Sequence, residues 1–177
     1  MAIQIDAHNS SLTEDQIEFT INTLQDGGVI IYPTDTIYGL GCDITNANAI
    51  KRIQSIKGRD ANKPMSFVCA DLVHVKKYAH LSTNASNILE KFLPGAYTFV
   101  LPATNQAPKD LITEQSTVGL RIPGHQIPLS IVRALKKPIL STSANFSGEH
   151  VLTTSKELQE HMGDKVDLIL IDKETIT

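Results

Sequence analysis

Residues 27–43 read Gly-Gly-Val-Ile-Ile-Tyr-Pro-Thr-Asp-Thr-Ile-Tyr-Gly-Leu-Gly-Cys-Asp. Val29 to Tyr32 is a run of strand-favouring residues with no polar alternation, the pattern of a strand buried on both faces. Pro33 stops it, because proline cannot donate to a ladder. The polar loop Thr34-Asp35-Thr36 follows, at a strand end, where α/β folds place ligand sites. Gly39 and Gly41 would let backbone approach a ligand closely. No Gly-Lys-Ser/Thr ending is present, so the loop is not a Walker-type phosphate loop.

Working outward, the pattern alternates between helix and strand. Thr13 and Gln16 form a capping box, and Ile17, Ile21 and Leu24 line one face of the helix they open. Gly27-Gly28 closes it. Asn46 caps a helix with Ala49, Ile50, Ile53 and Ile56 on one face, and Gly58 ends it. Residues 65–69 read as a buried strand. Helical stretches follow near 71–78 and 83–92, and Pro94-Gly95 is a turn. Strands are expected at 97–101, 117–122, 138–142 and 167–171, with a short edge strand at 3–5. Pro128 suits the first turn of a helix to about residue 136, and a last helix lies near 155–161. This alternation predicts an α/β layer fold. The length of 177 residues suits a single domain spanning 1–177,.

Composition narrows the function classes. With 41% hydrophobic and 20% charged residues, the chain has an ordinary folded balance, which excludes disorder,. No apolar run approaches the roughly 20 residues a membrane span needs, and Met1 to Asp6 has no signal-peptide character, so the expected location is the cytoplasm. Cys42 and Cys69 form no Cys-x-x-Cys pair and read as small apolar residues, and each of the six scattered histidines reads as surface or loop,. No metal site is expected. No Ser-His-acid set, carboxylate pair or activated cysteine emerges either, which disfavours a hydrolase with a covalent nucleophile. Charge is unevenly spread. Residues 1–50 hold seven acids and no Lys or Arg, whereas residues 51–63 hold five bases and one acid. A basic middle between acidic ends suggests a local anion site, such as nucleotide or RNA phosphate, against the plainer reading of a solvated helix face.

Three further features carry chemistry. Lys57 and Arg59 straddle Gly58 at a helix end, so both can turn toward one polyphosphate; equally, they can serve as favourable charge at a helix C-terminus. Ser141, Thr142, Ser143, Asn145 and Ser147 are small donors after a buried strand, suited to phosphate, ribose or a base edge, or to capping their own turn. Arg121 ends a strand among apolar residues and needs an anionic partner, which a ligand carboxylate or a structural aspartate would supply.

At these residues the sequence resembles the YrdC family of threonylcarbamoyl-AMP synthases. The matching segments are GGVIIYPTDTIYGLGCD, IKGRDANKP, LPGAYTFVLPA, TVGLRIPGH and ILSTSANFSGE, in family order over most of residues 12–150. The resemblance implies a twisted, largely open mixed sheet flanked by helices, with a basic concave groove. It implies synthesis of threonylcarbamoyl-AMP from ATP, L-threonine and bicarbonate for tRNA modification, with Mg2+ accompanying the ATP and other tRNA threonylcarbamoylation proteins as partners. Carried over residue by residue, Lys57 and Arg59 hold the ATP phosphates and are the catalytic pair. Thr117, Ser143 and Asn145 contact the nucleotide. Thr36, Arg121 and Ser141 contact threonine.

Two departures qualify this resemblance. Typical members continue beyond the position of Thr177 with a Gly-rich loop, a Ser-Thr-Val/Ile strand and an Arg-x-Gly ending, for which this chain shows no counterpart. The segments KPMSFVCADL and LPGAYTFVLPAT are more similar to the YciO-like branch. The alternative function is therefore a tRNA-binding or double-stranded-RNA-binding protein without synthase activity.

Overall fold

The computed structural model describes residues 1–58 and 65–172. Its strands are β1 (Ile3–Asp6), β2 (Ile30–Tyr32), β3 (Gly39–Asp43), β4 (Ser66–Val68), β5 (Phe99–Pro102), β6 (Thr117–Arg121), β7 (Ile139–Ser143) and β8 (Leu168–Ile171). The helices are α1 (Glu14–Gln25), α2 (Ala47–Lys57), α3 (Leu72–Tyr78), α4 (Thr83–Phe92), α5 (Gln126–Leu135) and α6 (Ser155–Met162). The strands form one open mixed sheet in the order β1-β8-β2-β3-β7-β4-β6-β5. β8 is parallel to both β1 and β2, and β4 is parallel to β6; the other pairs are antiparallel. The α/β expectation and the open mixed sheet both hold.

Local signals place most boundaries. Thr13 and Gln16 form the reciprocal capping box at α1. Asn46 caps α2, accepting from Ala49 N at 3.0 Å, and Gly58 closes that helix at φ 57°, a left-handed conformation glycine adopts without penalty,. β3 starts at Gly39 because Thr34 Oγ1 donates to Ile37 O at 2.7 Å and accepts from Thr36 N at 3.1 Å, folding residues 34–37 into a turn,. α5 starts at Gln126 with His125 as its cap: Nδ1 accepts from Ile127 N at 3.2 Å. The surface reading of His125 is corrected, since the side chain is buried and its Nε2 lies 3.2 Å from Asp172 Oδ2.

Alternation along the strands separates two faces. On one, Ile31, Leu40, Cys42, Phe67, Val118, Leu120 and Leu140 pack with residues of α2, α3, α4 and α6. On the other, Ile30, Tyr32, Val68, Ile139, Leu168 and Leu170 pack beneath α1 and α5. Both cysteines are wholly buried, and burial pushes the Cys42 thiol up to about 12 and raises that of Cys69, which keeps them unreactive,. Among the described residues no helix is long and apolar enough to cross a membrane.

Candidate functional site

The second face is apolar only in part. Its register aligns Ile30, Gly41, Ser141, Ser66, Gly119 and Val100 in one row across β2, β3, β7, β4, β6 and β5. By the same alternation Gly39, Ser143, Thr117 and Arg121 share that face,. A packing surface would not combine glycines, hydroxyls and an arginine. The patch forms a cavity of about 120 Å³ lined by Thr34, Thr36, Gly39, Ser66, Arg121, Ser141 and Ser143, among others. A neighbouring hollow of about 290 Å³ is lined by Ser66, Thr98, Val100, Thr113, Thr117 and Gly119 among others. Ser66 belongs to both.

Arg121 ends β6 in the wall of the first cavity. Its Nη2 donates to Asp35 Oδ1 and, at 3.0 Å, to Thr36 Oγ1. Asp35 Oδ2 accepts from Gly124 N at 2.9 Å, which fixes the carboxylate. The structural aspartate weighed in the sequence is therefore present. Arg121 nevertheless keeps a donor: its Nε is buried with no hydrogen-bond partner among the described residues. A buried donor left unmade costs about 1–3 kcal/mol, a cost this side chain carries beside its bonds to Asp35 and Thr36,.

Lys57 is placed differently from a surface phosphate ligand. Its side chain is 1% exposed. Its Nζ lies 2.7 Å from Ser143 O, 2.5 Å from Asn145 O and 2.8 Å from Asn145 Oδ1. Ser143 Oγ donates to Asn145 Oδ1 at 2.6 Å, and Asn145 Nδ2 donates to Glu149 O at 2.7 Å. The ammonium thus ties the end of α2 to the Ser-Ala-Asn turn after β7, a buried charge made tolerable by converging oxygens. Arg59, the other half of the expected pair, lies outside the described residues.

The remaining candidates fall into the two hollows. Ser141 lines the first, and its Oγ accepts from the Tyr32 hydroxyl at 2.6 Å. Burial is the main cause raising the Tyr32 phenol to about 12,. Thr117 lines the second, with its Oγ1 2.7 Å from Thr113 Oγ1. Gly39 and Gly41 have an internal reason to be glycine. A Cβ on Gly39 would sit 2.8 Å from the Tyr32 ring, and one on Gly41 would sit 2.7 Å from Leu140 O and 2.9 Å from that ring.

Sequence reasoning did not assign a role to Ser66 or Tyr32, and it named Asp35 only as part of the polar loop 34–36. Ser66 carried a signal, being the polar residue in an apolar run. The partnership of Asp35 with Arg121 spans 86 positions and leaves no local trace. Among the described residues no three His, Cys, Asp or Glu side chains come together. The described residues thus offer no carboxylate cage for a cation there. Asp35, whose partner Arg121 lines the cavity, is committed to Arg121 and Gly124. These residues do not fit a resident magnesium ion.

Known proteins resemble this arrangement. A family profile, Sua5/YciO/YrdC, described as telomere recombination, matches residues 22–177. The uncharacterized protein YciO of Escherichia coli is 34% identical over 156 residues, covering 87% of this chain and 76% of that one. Its crystal structure superposes with a TM-score of 0.90 at 31% identity, over 96% of this chain and 84% of the other. The threonylcarbamoyl-AMP synthase of Vibrio vulnificus is 32% identical over 157 residues, covering 87% of this chain and 84% of that one. The structure of P. abyssi Sua5 complexed with L-threonine matches with a TM-score of 0.89 at 30% identity, over 99% of this chain and 51% of that larger protein. The fold, the ordered motifs and these likenesses agree that the chain belongs to the Sua5/YciO/YrdC family.

Proposed function

We propose that this chain makes threonylcarbamoyl-AMP from L-threonine, bicarbonate and ATP. The observation that carries this reading is Arg121 in the wall of a small hydroxyl-lined cavity, beside Thr36 and across from Ser141. An arginine fork suits a carboxylate, and the hydroxyls of Thr36 and Ser141 suit the rest of a small polar amino acid. A threonine complex is known for a relative with this fold, and synthases occur among relatives of similar identity.

The threonine amine condenses with bicarbonate, losing water, to give a carbamate. A carbamate oxygen then attacks the α-phosphorus, the bond from that phosphorus to the bridging oxygen breaks, and pyrophosphate leaves. The chain contributes mainly position and charge. Arg121 orients threonine. Thr117 and the Ser143–Asn145 turn face the nucleotide, with Lys57 holding that turn from behind. Arg59, two positions after Lys57 in the sequence, is assigned to the phosphates. Magnesium arriving with ATP would be carried by its phosphates.

The test is pyrophosphate release from Mg-ATP and bicarbonate, with and without L-threonine. Threonine-dependent release is expected. Arg121→Lys keeps a cation for Asp35 but removes the fork, so it should lower kcat/KM for threonine about thirtyfold or more, with an unchanged melting temperature. Release indifferent to threonine, or full activity in Arg121→Lys, would sink the assignment. A second reading, RNA binding without adenylate formation, has its own support: residues 51–63 hold five bases against one acid, and the enclosure of the Lys57 ammonium takes that cation away from a bound nucleotide. It predicts tRNA or duplex RNA binding that weakens steeply with salt.

A further inference from the structure

The side chain of Tyr32 crosses the sheet in an unusual way. Tyr32 ends β2 opposite Gly39 of β3. Its hydroxyl reaches Ser141 on β7, one strand further on, at 2.6 Å. The ring can lie over β3 because Gly39 and Gly41 present no Cβ there; either added carbon would come within 3.0 Å of the ring. The ring is wholly buried, so water does not compete for its hydroxyl.

The direction of that hydrogen bond sets the chemistry of Ser141. A phenol is the stronger acid of the two hydroxyls, so tyrosine donates and serine accepts. Ser141 Oγ has no other hydrogen-bond partner among the described residues, and it lines the 120 Å³ cavity. With its lone pair engaged from behind, the serine hydroxyl has its own proton left to offer forward. The Tyr32 bond takes one of the two serine lone pairs and leaves the proton for the cavity, which biases this serine toward donation,.

We propose that Tyr32 is a positioning residue whose hydroxyl, passing over the glycine-paved β3, fixes Ser141 as a hydrogen-bond donor to an oxygen of the amino-acid substrate. This rests on the reading of the cavity as the amino-acid site and deepens it, by assigning donor character to one wall and a reason to both glycines. The ligand class follows: the amino acid presents an acceptor oxygen, of its carboxylate or side-chain hydroxyl, toward β7.

The test compares the parent with Tyr32→Phe, Ser141→Ala and the double variant in threonine-dependent pyrophosphate release. Tyr32→Phe keeps the ring that fills the glycine lane and removes only the oxygen. It should raise KM for threonine about three- to tenfold, the equivalent of one net hydrogen bond, with KM for ATP within about twofold. Ser141→Ala should match it, and the double variant should be no worse than Ser141→Ala alone, because the two act as one unit. Tyr32→Phe with a parental KM for threonine, or additive losses in the double variant, overturns the proposal alone. A parent lacking threonine dependence overturns the underlying reading, and this proposal with it. Should Tyr32→Phe melt early, Ser141→Ala decides by itself: a parental KM for threonine refutes the donor assignment.

Discussion

The two faces of the same strands differ more than any two elements do. On β7, Leu140 is buried against the helices, while Ser141 beside it opens to the cavity. On β6, Leu120 and Val118 pack in the core while Gly119 and Arg121 line the hollows. The difference teaches that a strand can serve packing with one set of side chains and line a polar hollow with the next. The two functions are separated by one residue and about 180° of direction.

This comparison can be broken or sharpened by substitution. The largest effect on stability is expected from Leu120→Ala on the packed face. Removing a wholly buried leucine should cost about 2–5 kcal/mol, read from the urea midpoint. A cost below about 1 kcal/mol would show that this face is not the core. Gly41→Ala comes next. Its new carbon meets the Leu140 carbonyl at 2.7 Å and the Tyr32 ring at 2.9 Å, so the strand or ring must shift, at about 1–3 kcal/mol. Unchanged stability would mean that the glycine lane is roomier than described.

The third effect is on pH dependence. His125 ties α5 to Asp172 just beyond β8. Burial lowers its pKa, although Asp172, and more weakly Asp35, pull the other way. Between the lowered folded value and the ordinary value near 6.5, the unfolded chain binds a proton that the native one refuses. Stability is therefore full above that ordinary value and falls as pH drops through the window, by at most about 1.4 kcal/mol per pH unit for one proton. Denaturation midpoints from pH 7.5 to 5, compared with His125→Asn, should show this component removed; identical profiles would refute it. The smallest effect belongs to Gly119→Ala, whose added carbon finds its nearest neighbours at 3.4 and 3.5 Å. Its stability should stay within about 0.5 kcal/mol of the parent. A loss as large as that of Gly41→Ala would erase the distinction between the lane and the hollow.

Much of the fold could be read from the chain because its signals are local. The capping box at Thr13, the cap at Asn46 and the glycine stop at Gly58 each act within four residues,. The runs at 29–32, 65–69 and 138–142 announced buried strands by composition. The order in which those strands pair was not in the residues, and it is this order that builds the site. The contact between Tyr32 and Ser141 spans 109 positions and that between Lys57 and Asn145 spans 88. Loop chemistry pointed to Thr36, Arg121 and Ser141 as candidates. It could not say that Asp35 would already hold Arg121, nor that the Lys57 ammonium would turn inward. The default surface reading of His125 failed because burial of a histidine depends on what arrives opposite it, here Asp172.

Ser66 borders both hollows, and this makes the sheet a ruler. Neighbouring strands stand about 4.8 Å apart, and Ser141, Ser66 and Gly119 occupy three adjacent strands in one row. Molecules seated on either side of Ser66 are thus held roughly 10 Å apart, centre to centre, with their facing ends meeting above β4. That strand is only three residues long. Deleting Val68, with the residues before it moving up one register position, would turn Phe67 toward the hollows and Ser66 toward the core,. On the proposed reading, the spacing between threonine and nucleotide is therefore set by one short strand.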